Sequence, residues 1–153
     1  MGETTLLVAP KRRLAQFDLP PEFTEVPDPT VLQDKPHYDP PTSQAFATED
    51  GGVLVRVITE YDHDGLDYHF KDAKRALNEV GAQIAFSHCR DDRYSIGGTL
   101  ADRSSIHHTS CGFGDASKSA TIGTVIITFK DADDVRATAL IRSVHGRLSL
   151  SES

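Results

Sequence analysis

All eight prolines of this 153-residue chain lie between Pro10 and Pro41, and the 112 residues that follow contain none. Proline fixes φ and lacks a backbone donor, so a proline-dense stretch resists central pairing while a proline-free one accepts helix or sheet. The distribution divides the chain into a proline-rich extended arm over residues 1–48 and a regularly hydrogen-bonded domain over residues 49–153. Within the arm, Pro20-Pro21, Pro27-Asp28-Pro29 and Pro40-Pro41 predict polyproline-like segments separated by turns. The arm also carries Leu6, Leu7, Leu14, Phe17, Leu19, Phe23, Val26 and Val31. That apolar content suits docking on its own domain, on a second subunit or on another protein, with a disordered tail as the alternative.

The length allows one modest domain with its own core. No apolar run approaches a membrane span, and the N-terminus lacks a signal-peptide pattern, so a soluble, cytoplasmic protein with no membrane partner is expected. A formal net charge of −7 disfavours a nucleic-acid surface, which needs clustered Lys and Arg. Lys11-Arg12-Arg13 is the one compact cationic run, and it reads as a solvated segment. Cys89 and Cys111 form no C-x-x-C pair and read as reduced thiols.

From residue 53 the chain becomes regular. Val53, Val55 and Val57 alternate with Leu54, Arg56 and Ile58 and predict a strand covered on most of both faces. A polar turn, Tyr61-Asp62-His63-Asp64-Gly65, follows. Leu66, Phe70, Ala73, Leu77 and Val80 then mark one face of a helix that Gly81 stops. Residues 82–89 alternate as a second strand, and residues 94–100 give a weaker third. Residues 101–119 are polar and predict a long lid or contact loop. Residues 121–129 form another strong strand. Ala137, Leu140, Ile141 and Val144 predict a second helix, with a strand as the competing reading, and Gly146 ends it before a short strand at Leu148 and Leu150. The order β-α-β-β-α-β predicts an α+β, ferredoxin-like sandwich, with a four-stranded antiparallel sheet and two helices on one face.

The strand at 53–60, Asp62, Gly65-Leu66, the helix through Ala76-Leu77 and the re-entry Gly81-Ala82-Gln83-Ile84 resemble an ACT domain, a ligand-binding module of amino-acid metabolism. The second half, from Thr124 to Gly146, is similar to that family as well. The resemblance implies a non-catalytic regulatory domain that binds a small metabolite, an amino acid in that family's manner, as a homo-oligomer. It places Asp62, His63, Asp64, Gly65 and Leu66 near the ligand, with Gln83 and Ile84 on the adjoining strand. The chemistry is compatible, because N–H groups at a helix N-terminus hold a carboxylate and an Asp side chain pairs with an ammonium group. Helix capping by the same residues is the structural alternative.

Other chemistries find weaker signals. His107-His108 with Cys111, and His88-Cys89, have metal-ligand residue types without a zinc spacing, so no metal is expected. No nucleophile elbow, Walker or G-x-G-x-x-G pattern occurs, and no cofactor or catalytic residue is indicated. Two further classes remain open: a structural or adaptor protein whose arm docks on neighbouring subunits in an assembly, and a small enzyme using the histidine-bearing loop.

Overall fold

A computed structural model describes residues 4–8, 13–27, 42–62, 64–90, 92–114, 120–147 and 149–152. Among them are ten strands and two helices: β1 (Thr4–Val8), β2 (Arg13–Leu19), β3 (Phe23–Val26), β4 (Thr42–Thr48), β5 (Val53–Asp62), α1 (Gly65–Glu79), β6 (Gln83–Arg90), β7 (Arg93–Thr99), β8 (Ser105–Gly114), β9 (Ala120–Phe129), α2 (Val135–Arg147) and β10 (Ser149–Glu152). Seven strands form one antiparallel sheet in the order β3-β4-β5-β9-β8-β7-β6, and β1-β2-β10 form a smaller one.

The ferredoxin-like expectation is overturned. The large sheet has seven strands rather than four, and the two helices cover opposite faces of it. The second point follows from register. Residues paired across strands share a face and successive ones alternate. Val53 pairs Phe129, Val55 pairs Ile127 and Val57 pairs Val125, and these six are buried with Ala137, Leu140 and Val144 of α2. Ile122, Tyr94 and Ile96 lie on the other face, buried with Leu66 and Leu77 of α1. Each helix thus closes its own core against the same sheet.

Two segments account for the mistaken topology. The predicted loop at 101–119 is largely β8, which pairs with β7 on one side and β9 on the other. Its insertion pushes β6 to the sheet edge, so β5 and β6, joined by α1, run parallel but stand four strand spacings apart. The extended arm is likewise not separate where it is described. β4 is hydrogen-bonded along β5, and Leu19, Phe23 and Phe46 are buried in the α2-side core. Residues 28–41, which hold four of the prolines, lie outside the described residues.

The end of α1 follows its sequence signal, whereas Gly146, expected to end the second helix, lies within α2. Gly81 adopts φ +84°, and the amides of Gly81 and Ala82 bond to the carbonyls of Asn78 and Leu77 at 3.1 and 3.0 Å. The left-handed residue closes α1 by satisfying its last carbonyls. At the other helix, Arg136 spans Asp134 and Asp50, with both guanidinium contacts to Asp50 at 3.1 Å. It fastens the start of α2 to the β4–β5 turn and holds the Asp50 carboxyl well below its usual range.

Close approach of β6 to β7 depends on Gly98. A Cβ there would lie 2.2 Å from the Gln83 carbonyl oxygen, a backbone atom with nowhere to go, whereas one at Gly97 would meet only the ring of Phe86. Gly98→Ala is expected to lower unfolding free energy by about 1–3 kcal/mol, measured by urea denaturation. A loss within experimental scatter of zero would contradict this packing.

Candidate functional site

A chain of hydrogen-bonded polar side chains lies beneath α1. Glu60 lies near the end of β5, His69 sits one turn into α1, Tyr94 is on β7 and His108 is on β8. His69 Nε2 is 3.2 Å from Glu60 Oε2 and His69 Nδ1 is 2.5 Å from Tyr94 Oη. Tyr94 Oη is in turn 3.1 Å from His108 Nε2. These residues converge because Tyr94 pairs Ser110 and Ile96 pairs His108, which sets Tyr94 and His108 diagonally on the face that α1 covers. His69 follows Leu66 by three residues and precedes Ala73 by four, so it shares the helix's inward stripe.

Proton positions along this chain are set by its outer end. A carboxylate accepts only, so His69 donates from Nε2 to Glu60 and, in the tautomer that carries its proton there, accepts at Nδ1. Tyr94 then donates its O–H to His69, and its oxygen accepts the Nε2 proton of His108. One consistent direction runs from His108 outward to Glu60. Burial pushes the His108 imidazole down to about 3, with the charges of His69, His107 and Arg56 adding to the effect. His108 is therefore neutral at physiological pH, as this arrangement requires. Exposure rises from Tyr94 outward: Tyr94 is 1% exposed, while the side chains of His69 and Glu60 are 13% and 34% exposed.

The Glu60 end adjoins the turn flagged by the sequence. Gly65 is buried at φ +84°, and Leu66 is fully buried in the core under α1. Asp64 stands at the N-cap without a side-chain capping hydrogen bond. Asp62 ends β5 opposite Ala120, and His63 lies outside the described residues. Gln83 and Ile84 are elsewhere. Gln83 shares a row with Thr99, Ser105, Phe129 and Val53, nine residues down β5 from Asp62, or about 30 Å along the strands at 3.3 Å per residue. The turn and the re-entry therefore do not form one pocket. Ile84 packs instead in the core under α1.

The histidine-bearing segment is also rearranged. His107 and His108 are adjacent on β8 and point to opposite faces, so they do not converge with Cys111 on one ion. Both histidines and Cys111 are buried, not surface groups of a polar loop. Among the described residues no group of three or more metal-ligating side chains converges. Burial pushes the Cys111 thiol up to about 11. Burial together with the Asp67 carboxylate, which accepts the Cys89 thiol at 3.5 Å, raises Cys89 likewise. Both stay protonated at neutral pH and are poor nucleophiles.

No family model and no curated protein matches the chain. The fold is similar to the solved structure of LpqN, described as involved in cell envelope biogenesis of Mycobacterium tuberculosis, with a TM-score of 0.54 and 12% identity over 97% of this chain and 90% of that one. At this identity the likeness concerns fold alone. Among the described residues no helix is long and apolar enough to cross a membrane.

Proposed function

We propose that the chain is a non-catalytic domain that binds a small zwitterionic metabolite, an amino acid being the simplest, at the turn between β5 and α1. The observation that carries this reading is the half-exposed Glu60 carboxylate, held by His69 at the outer end of a buried hydrogen-bonded chain. A carboxylate fixed in this way accepts an ammonium group with little loss of side-chain entropy. The start of α1, where the Asp64 side chain does not cap, offers N–H groups to a ligand carboxylate. Absence of catalysis is argued from the reactive groups: the thiols are protonated, and His107 and His108 are buried with their ring nitrogens engaged. Docking of the arm on neighbouring subunits is not favoured for its described parts, since Leu19, Phe23 and Phe46 fill the chain's own core.

A thermal-shift panel of the proteinogenic amino acids tests the reading. A true ligand at a hundred times its Kd stabilises by about 2.7 kcal/mol, or roughly 5–10 °C for a chain of this size. Glu60→Gln and Gly65→Val should each abolish the shift. A panel with no shift at millimolar concentration would exclude amino acids as ligands.

A further inference from the structure

On the α2 side of the sheet a second pair of imidazoles meets in a way the β5–α1 site does not use. His145, in the last turns of α2, brings its Nε2 to 2.9 Å from the Nε2 of His107 on β8. The two rings stand edge to face, with centroids 4.8 Å apart. We propose that His107 and His145 form a two-nitrogen site for a divalent transition ion of tetragonal preference, Cu(II) or Ni(II).

The geometry favours that class. With metal–nitrogen bonds of about 2.0–2.1 Å, two nitrogens at a right angle lie about 2.9 Å apart, while two at the tetrahedral angle lie about 3.4 Å apart. The observed separation fits the right-angled bite. His107 also has the outer partner that ligating imidazoles usually have: its Nδ1 lies 3.2 Å from Thr109 Oγ1, and with its proton held there the Nε2 lone pair, which otherwise meets His145, is available to an ion that replaces that contact. The Phe86 ring, with its centroid 5.8 Å from that of His107, walls one side. His107 is buried and rigidly placed, whereas His145 is exposed, so an ion reaches the pair from the helix side.

The surrounding charges set the strength. Partial burial first, then the charges of Arg93, which donates to the His145 carbonyl at 3.4 Å, and of His88, hold the protonation of His145 down. Arg93 also repels a cation, so micromolar rather than nanomolar affinity is expected, with water or an anion in the remaining positions. Burial and the His145 charge push the His107 imidazole down to about 4.

The test uses the full chain, stripped with chelator and titrated with copper(II) or nickel(II) chloride, followed by calorimetry and, for copper, electron paramagnetic resonance. One ion per chain should bind with a tetragonal, nitrogen-coupled signal. His145→Ala, an exposed position, should weaken binding at least tenfold, and Thr109→Val roughly tenfold through loss of the outer partner. Absence of one-to-one binding, or an affinity in His145→Ala within twofold of the parent, would overturn the proposal.

Discussion

Tyr94→Ala is expected to lower unfolding free energy by about 3–5 kcal/mol, at the upper end of single core substitutions. The ring is almost fully buried and packs against Phe70, His69 and His108, with centroids 5.1, 5.7 and 5.5 Å away. Its removal opens a cavity between α1 and the sheet and also strips both histidines of their shared partner. Tyr94→Phe separates the two contributions. It keeps the ring and should cost about 1–3 kcal/mol, because the His108 Nε2 proton is then buried without an acceptor. Urea denaturation of both variants measures the difference. If Phe were as stable as Tyr, the hydroxyl would not be joining His69 to His108.

Acid should destabilise the fold well before the carboxylates are protonated. His107 and His108 ionise near 4 and 3 in the folded chain, against about 6.5 when unfolded. Between these limits the unfolded chain binds more protons, so stability rises with pH. The stabilisation from keeping both rings neutral is fully present above about pH 6.5 and is lost as pH falls through about 4 and 3, with a drop on the order of 6 kcal/mol by about pH 4. Urea midpoints measured across this range should fall with pH, and His107→Gln should flatten part of the slope. A constant midpoint from neutral pH to about pH 4.5 would show that neither imidazole is buried neutral.

How far the sequence reveals this fold depends on where apolar periodicity reaches. α1, α2, β5 and β9 are strongly patterned, and each occurs where its spacing predicts. β8 was hidden because its inward groups are His107, Thr109 and Ser110 rather than Val or Ile. These polar residues are buried by pairing, as in the 2.6 Å contact of Ser110 with Thr124, and no hydropathy pattern signals such a strand. β4 was obscured by the neighbouring prolines, although Phe46 and Ala45 are buried. At the candidate site, the turn at Gly65 was readable from composition, and His69 could have been suspected from its place on the apolar stripe of α1. Its partners Tyr94 and His108 were not readable, since their meeting depends on the β7–β8 register.

The wide separation of β5 and β6 in the large sheet also bears on how the chain reaches its native state. β6, β7, β8 and β9 follow one another as adjacent hairpins, each closing a short loop. β5 must instead pair β9 across an intervening stretch that brings Val53 to Phe129, and the entropy of closure grows with the logarithm of that length. Within the seven-stranded sheet the largest cost of closure falls on this one pairing. The same pairing unites the two cores, so the two halves of the hydrophobic interior become cooperative only when it forms.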